Sequence, residues 1–476
     1  MRNQRYSFFL LFMTVFSVLN PALSSVVFST EFPATRPIEE GSDMISAEFL
    51  STPRVTVSKK LAEKAGLQIL ESSRATLVTD LPTTEEIEKL PAVAEMAYSQ
   101  LCDFFDVTPD PEWKATVFLM KNNLPFMEAG FIPEILPPFA NGFSFNYDCW
   151  LYEQPSAYYR QHLMIHEMVH SFCTTNFGGA GPNWYAEGLA ELLGMHDFSA
   201  EPVQLGFMPP NRQAVPHCGR IREVHDAIQR GEARTFTEAL HPKNADFATN
   251  AMYYWCWVLA WFLENNPDTH DEFHAMIPMM SENLSTEEFT QKFLISLGKK
   301  REQVEKQWLM YIATLDYDYR LAPMLFSATP GVPLQEKNAD GRDIQKICAT
   351  SGWQNTGIHV KKGEKIQIRA KGRFEVFCSP KSETWECDPN GITIDYVNGQ
   401  PRGILQAVFL PDEEILTPET MNNREVGTFY MPMAIGTRKT LTVPFSGTLL
   451  LRLNARPSDI EASSGECLVE ITDVSH

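Results

Sequence analysis

Apolar and polar residues follow different periods in different parts of the chain, and these periods predict its secondary structure. Short β-branched and apolar runs at Ala75–Thr79 and Ala115–Met120 predict strands. Apolar residues recur at helical spacing over four longer stretches, 85–105, 156–175, 184–196 and 250–265, and further helices are predicted between 271 and 315. This mixture predicts an α+β architecture for the chain up to about residue 327.

The pattern changes near residue 336, where short strands separated by Gly and Pro turns replace the helices. Lys365–Arg369 and Leu449–Leu453 are two such strands. The stretch Ala328–Pro333 is rich in Pro and Gly, as is typical of a linker. The sequence therefore predicts a linker at 328–337 and an all-β sandwich over 338–476.

The N-terminus has the three parts of a secretory signal peptide. Arg2 and Arg5 precede an apolar stretch that ends at Leu19, and small residues follow it. Because this stretch is shorter than the ~20 residues that cross a bilayer, we predict that residues 1–24 are cleaved; an uncleaved anchor is the alternative. The chain is then expected to be exported, to a bacterial-type periplasm or medium, with no membrane span. Residues 25–72 form a segment of unknown role.

The net charge of the chain limits the kinds of molecule that it can bind. The chain has 40 Lys+Arg and 60 Asp+Glu, a formal charge of −20, and no block of basic residues. Such a chain repels phosphate backbones, so nucleic acid is excluded as a partner.

Nine cysteines are an odd number, so at least one thiol stays outside any intrachain pairing. Cys378 and Cys387 are the predicted local disulfide.

The strongest chemical signal is His166-Glu167-Met168-Val169-His170, inside a stretch with helical periodicity. Two histidines one helical turn apart can bind one Zn²⁺, and Glu167 then projects towards a water on the metal. A catalytic zinc takes a third protein ligand. Glu187 follows in a second predicted helix that starts at Asn183, and Glu191 lies one turn after it. Glu191 is either a carboxylate that orients a ligand histidine or a surface acid.

The HExxH motif followed by Trp184-x-x-Glu187-Gly188-Leu189-Ala190-Glu191 resembles the gluzincin metallopeptidases, the clan of thermolysin, and most closely the bacterial peptidase-MA-like proteins. The resemblance spans about residues 75–320. It implies that His166, His170 and Glu187 bind zinc, that Glu167 is the general base for a metal-activated water, and that peptides or proteins are the substrate. The G-x-M-E-N element of the aminopeptidases does not precede the motif, so the resemblance implies an endopeptidase rather than an aminopeptidase.

The same resemblance aligns Tyr253 with the tyrosine that stabilises the oxyanion in this clan. Tyr253 also shares helical spacing with Trp257 and Trp261, which is typical of a core stripe. Tyr254, His217 and His225 are the alternatives for this role. Phe143–Tyr152, just before the zinc helix, is either an edge strand that pairs with the substrate or an ordinary core strand.

The C-terminal region has a resemblance of its own. Ser351–Ile358, Val360–Glu364 and Ala370–Gly372 are similar to the jelly-roll sandwich of the bacterial galactophilic lectins. This implies a glycan or cell-surface component as a second partner. Ala455 stands where that family has a calcium-binding Asp, and its paired asparagines are missing, so calcium is not expected here.

Together these features predict an exported zinc metallopeptidase with a catalytic domain at 73–327 and a lectin-like β-sandwich at 338–476. One alternative is a catalytically silent cell-surface protein whose sandwich binds glycan or protein, and another is a zinc exopeptidase or a processing enzyme for one partner.

Overall fold

The structure is a computed structural model, and it describes residues 54–197, 203–243, 246–247, 251–282, 284–412 and 426–474. The predicted signal peptide, and the part of the following segment up to residue 53, lie outside the described residues. Of the helices in the described ranges, none combines the length and apolar character that a membrane span needs.

A five-stranded mixed sheet with flanking helices forms the first part of the described chain. Its elements, in chain order, are helix α1 (Lys59–Lys64), strands β1 (Gln68–Glu71) and β2 (Ala75–Thr79), helices α2 (Glu85–Glu88) and α3 (Leu90–Phe104), strand β3 (Ala115–Met120), helix α4 (Leu124–Glu128), and strands β4 (Gly142–Phe145) and β5 (Asp148–Tyr152). Residues 54–72 thus contribute the first helix and a strand of this sheet.

The strand order of this sheet is β1-β2-β3-β5-β4. Strands β2, β3 and β5 are parallel, whereas β1 and β4 run antiparallel to their neighbours at the two edges. Successive residues of β3 point to opposite faces, so Val117 packs into the core beside the long helices and Phe118 packs into a smaller apolar cluster on the other side. Both faces of the sheet are therefore buried, and β4 is the edge strand nearest the long helices.

A helical region follows the sheet. It contains helices α5 (Ala157–Phe177) and α6 (Asn183–Gly194), short strands β6 (His196–Asp197) and β7 (Gln204–Leu205), and helices α7 (Arg220–Gln229), α8 (Phe236–Leu240), α9 (Ala251–Asn265), α10 (His270–His274), α11 (Thr286–Leu297) and α12 (Arg301–Thr314). Helix α9 is apolar on nearly every side because it lies in the centre of the region, buried from Tyr254 to Leu263.

The C-terminal part is a two-sheet sandwich. Its elements are strand β8 (Val332–Pro333), helix α13 (Leu334–Lys337), and strands β9 (Arg342–Cys348), β10 (Gln354–Val360), β11 (Lys365–Lys371), β12 (Phe374–Cys378), β13 (Glu383–Cys387), β14 (Ile392–Val397), β15 (Gln400–Arg402), β16 (Leu405–Pro411), β17 (Met433–Ala434), β18 (Arg438–Thr442), β19 (Gly447–Leu453) and β20 (Ser464–Asp473). One sheet has the order β17-β16-β19-β10-β8, and the other has the order β13-β12-β20-β11-β18, with β9 also paired to β20.

The central strand β19 is buried on both of its faces. Leu449 and Leu451 point into the sandwich interior, while Leu450 belongs to the same apolar core as the helical region. On that outer face the guanidinium of Arg452 lies 4.4 Å from the ring centroid of Trp353, which is itself buried. The hydrophobic core therefore continues from the helices into one sheet of the sandwich.

The predicted α+β class is confirmed, and β2 and β3 have the predicted bounds. The helix predicted over 85–105 is two helices, because Pro91 lies in the first turn of α3, where a missing N–H costs nothing and a new helix can begin. The stretch Phe143–Tyr152 is likewise two strands, joined at Asn146 with φ 50°. It contains both the edge strand and the core strand that the sequence offered as alternatives.

The predicted disulfide between Cys378 and Cys387 is wrong. In the β12–β13 hairpin Phe374 pairs with Cys387 and Cys378 pairs with Glu383, so the two cysteines lie at opposite ends. At about 3.3 Å per residue they are about 13 Å apart, beyond the roughly 7 Å that a disulfide can span. All nine cysteines are free thiols.

Candidate metal centre

Two well-delimited helices carry the predicted metal ligands. Helix α5 has Ser156 as its N-cap, whose side chain accepts a hydrogen bond from the backbone N–H of Tyr159, and Gly178 with φ 78° as its C-cap. Helix α6 begins at Asn183, one residue after its N-cap Pro182. The glycine-rich turn between the helices lets α6 fold back against α5, so the two motifs face each other.

The structure brings His166, His170 and Glu187 together at one point. The Nε2 atoms of His166 and His170 are 3.2 Å apart. Oε2 of Glu187 lies 3.2 Å from Nε2 of His166 and 3.6 Å from Nε2 of His170. A tetrahedral zinc with bonds of about 2.0–2.1 Å spaces its ligands by about 3.3–3.4 Å. The three atoms are therefore spaced as three ligands of one zinc ion would be.

The electrostatics of this cluster favour a cation. Burial alone would raise the pKa of Glu187, but the adjacent His170 and His166 lower it to about 2. Burial would lower the pKa of His166, but Glu187 and Glu191 raise it to about 10. Oε2 of Glu187 is also buried without a hydrogen-bond partner among the described residues. A buried acceptor without a donor is costly, and a metal ion would satisfy it.

Glu167 lies beside this cluster, buried against the edge strand β4. A Cβ added at Gly142 would stand 3.0 Å from both Cγ and Cδ of Glu167, so only glycine leaves room for the carboxylate. Burial raises the pKa of Glu167 above its usual value, while His166 and the hydroxyl of Ser144 pull it down. Glycine at the edge strand therefore sets the position of the predicted general base.

Glu191 is buried behind His166 and is not a surface acid. Its Oε1 lies 3.4 Å from Nδ1 of His166, and its Oε2 lies 3.4 Å from Nε2 of His162. Arg220, at the start of α7, donates to both carboxylate oxygens at 2.7 Å. Burial would raise the pKa of Glu191, but Arg220 and His162 hold it well below the usual range. The carboxylate therefore stays charged beside the ring of His166.

Tyr253 lies at the N-terminal end of α9, next to the cluster. Its ring centroid is 6.3 Å from that of His166. The negative charge of Glu187, then burial, then Glu167 raise the pKa of Tyr253 well above its usual value, so its hydroxyl stays protonated. Helix α9 can approach α6 this closely because Gly188 meets Ala260: a Cβ at Gly188 would be 3.2 Å from that of Ala260.

The three alternatives to Tyr253 have other surroundings. Tyr254 is buried and interacts with Arg230. Nε2 of His225 is 2.7 Å from the carbonyl oxygen of Leu315. His217 is exposed on a loop with φ 65°. Tyr253 is thus the one member of the four with a described contact to His166.

The described residues contain two further groups of potential metal ligands, His162–His166–Glu191 and Glu264–His270–His274. The first shares His166 with the cluster above, but the guanidinium of Arg220 already neutralises Glu191 and opposes a second cation there. His162 continues the four-residue spacing of the motif one turn upstream, a signal that the sequence offered. Arg220 and Gly142 had no such signal, because neither is near the motif in sequence.

The sandwich has its own buried charge cluster. Arg402 is fully buried, and its guanidinium contacts the carboxylates of Asp395 and Asp459 at 2.5 Å each. The Asn454 amide donates to the carbonyl oxygens of Val397 and Pro401. The carboxylates of Asp395 and Asp459, near the loop that resembles the lectin site, are thus paired with the guanidinium of Arg402.

No protein-family model and no curated protein matches the sequence. Among solved structures, the EclA N-terminal domain, described as a PllA-like lectin, has 24% identity over 27% of this chain and 94% of its own, with a TM-score of 0.19. An aminopeptidase N family protein from Idiomarina loihiensis has 13% identity over 83% of this chain and 68% of its own, with a TM-score of 0.26. TM-scores this low carry no argument about the fold or the chemistry of this chain.

Proposed function

We propose that this chain is an exported, zinc-dependent metallopeptidase that hydrolyses internal peptide bonds. The observation that carries the proposal is the triangle formed by His166 Nε2, His170 Nε2 and Glu187 Oε2, with edges of 3.2, 3.2 and 3.6 Å. Two imidazoles and one carboxylate are a common ligand set of hydrolytic zinc, which keeps its fourth position free. The sequence-based resemblance to the gluzincins proposes the same three ligands.

The other residues of the site hold or position these ligands. Glu191 lies within 3.4 Å of Nδ1 of His166 and so orients that ring and fixes which nitrogen faces the metal. Arg220 keeps Glu191 ionised in a buried setting. Zinc, when bound, supplies a Lewis acid that lowers the pKa of a water molecule and polarises the scissile carbonyl.

Glu167 has the position and environment of a general base. Its buried carboxylate lies beside both histidines, and burial raises its pKa towards the range in which it can accept and release a proton. It takes a proton from the attacking water and passes it to the leaving amine. Tyr253 remains protonated and donates its O–H to the oxygen on which charge develops.

The substrate is expected to bind along β4. This strand is at the edge of the sheet, where β5 is its hydrogen-bonded neighbour among the described strands, and an extended peptide can add to such an edge. Gly142 and Ser144 of this strand contact Glu167. A peptide added to this edge would therefore pass in front of the general base.

The test combines metal analysis with cleavage-site mapping. After dialysis into metal-free buffer, the purified mature protein should retain one zinc, and a peptide library should show cleavage at internal bonds. Glu167→Gln should keep the zinc and lose turnover, because an amide cannot accept the proton. His170→Ala should lose the zinc. A well-folded protein that takes up no zinc, or a Glu167→Gln variant with wild-type turnover, would refute the proposal and favour the catalytically silent binding protein.

A further inference from the structure

A second group of potential metal ligands lies at the opposite end of α9 from Tyr253. Glu264 is near the C-terminal end of this helix, and His270 and His274 lie one turn apart on α10. The eleven residues from Tyr253 to Glu264 correspond to about 16 Å along a helix. This group is therefore separate from the candidate metal centre.

The three side chains form a compact group. Nε2 of His274 lies 2.8 Å from Oε2 of Glu264, and Nε2 of His270 lies 3.7 Å from Oε1 of the same carboxylate. The two imidazole rings are stacked, with centroids 4.5 Å apart and planes at 7°. One ligand atom from each residue lies within 4.8 Å of the other two. A hydrogen bond to Glu264 holds His274, and stacking on that ring places His270 with its Nε2 3.7 Å from the same carboxylate.

The loop between these elements is held rigidly. Asn266 and Thr269 are fully buried. The Asn266 amide donates to Oε1 of Gln307 at 2.9 Å, and the Thr269 hydroxyl donates to the carbonyl oxygen of Leu263 at 2.7 Å. Glu264 and the two histidines are therefore held near each other by the backbone, which lowers the entropy lost when an ion binds.

We propose that Glu264, His270 and His274 form a second, weaker binding site for a borderline transition-metal ion such as Zn²⁺. Two imidazoles and one carboxylate suit zinc, copper or nickel rather than calcium or magnesium. The side chains are 22%, 46% and 25% exposed, so solvent ions reach them and the rings can turn to close around an ion. Exposure and wider spacing make this site weaker than the buried centre.

An ion at this site would link the end of α9 to α10. Helix α10 is also tied to α6, because the hydroxyl of Tyr185 donates to the carbonyl oxygen of Phe273 at 3.0 Å. Tyr185 is two residues before Glu187. The second ion therefore stabilises the segment that packs behind the first centre.

The experiment is a calorimetric titration with Zn²⁺ alone, after dialysis into metal-free buffer. Wild type should bind one further equivalent, and the double variant His270→Ala/His274→Ala should lose it. His241→Ala is the matched control, because His241 lies 3.3 Å from the carboxylate of Glu287 without a second histidine in its group, and it should keep the equivalent. His270→Ala alone, at a partly exposed position, guards against a folding defect in the double variant.

Two results would overturn the second site: no further binding in wild type, or binding that the double variant retains. The same titration in a His170→Ala background separates it from the proposed function. That variant should lose the tightly held zinc and still bind the titrated equivalent. Even if wild type holds no tightly bound zinc, the titration still tests the second site. Wild type should bind the titrated equivalent, and His270→Ala should lose it.

Discussion

Arg220 donates two parallel hydrogen bonds, each 2.7 Å long, to the carboxylate of Glu191 behind the candidate metal centre. Both side chains are almost completely buried. A buried carboxylate without a cation would be neutralised by a proton or would destabilise the fold. The pair therefore keeps a negative charge next to His166, and under the proposed function this charge would orient the ring as a metal ligand.

Removal of Arg220 should destabilise the protein strongly. Arg220→Met leaves Glu191 buried without its cation, which should lower the free energy of unfolding by about 3–5 kcal/mol. Arg222→Met is the control on the same helix: its side chain is 60% exposed and pairs with Asp226, so about 0.5 kcal/mol is expected. Urea denaturation of both variants measures the difference. Equal effects would mean that the Arg220 pair is no more than a surface salt bridge.

Tyr253→Phe and its neighbour Tyr254→Phe are matched variants that test which hydroxyl stabilises the transition state. Tyr253→Phe should lower kcat by about 10² to 10³ with KM little changed, if its hydroxyl donates only to the developing oxyanion. Tyr254→Phe should leave kcat unchanged, because that hydroxyl faces Arg230. Steady-state kinetics and melting temperatures of both variants distinguish a catalytic role for Tyr253 from a role in the core. Wild-type kcat with a lower Tm in Tyr253→Phe would assign this tyrosine to the core instead.

Gly142 should be required for turnover although it has no side chain. An alanine there meets Cγ and Cδ of Glu167 at 3.0 Å and displaces the carboxylate. A displacement of about 1 Å costs about 10²-fold in rate, so Gly142→Ala should lose activity and retain its zinc. Gly219→Ala, where a Cβ meets nothing within 4 Å, is the control. Full activity in Gly142→Ala would show that Glu167 has room to move.

Ser144 should tune the pH dependence of the reaction. Burial raises the pKa of Glu167, and the Ser144 hydroxyl lowers it by hydrogen bonding to the carboxylate. The base must be ionised, so activity falls as pH drops through this pKa. Ser144→Ala removes a group that favours the charged form, and the acidic limb of kcat/KM should move to higher pH. A limb that stays in place, or moves to lower pH, contradicts this role.

The sandwich should be needed for the stability of the catalytic part. From the sequence, a fragment ending near Pro333 is expected to keep its activity, since every predicted catalytic residue precedes it. In the structure Phe326 packs on Phe429 and shares its core with Trp353, so this fragment exposes an apolar face and should aggregate. Trp353→Ala should cost about 3–5 kcal/mol, and Trp385→Ala, at a partly exposed position, much less. A soluble, active fragment would show that the shared core is dispensable.

What the sequence by itself determined is local. The four-residue spacing of His166 and His170 puts both on one side of a single helix, and the same spacing relates Glu187 to Glu191. Apolar runs also predicted the strands at Ala115–Met120 and Leu449–Leu453, whereas the burial of β19 on both faces was shown by the structure. Periodicity, caps and turns depend on neighbours within a few positions, so the strands and helices could be predicted from them.

Only the tertiary structure decided which distant residues complete the site. Arg220 pairs with Glu191 across 29 positions, and Gly142 meets Glu167 across 25. The register of the β12–β13 hairpin places Cys378 and Cys387 at opposite ends of the hairpin. The outer face of β19 packs into the same core as the helices. These contacts depend on how elements fold against each other, and no local pattern of residue types specifies that packing.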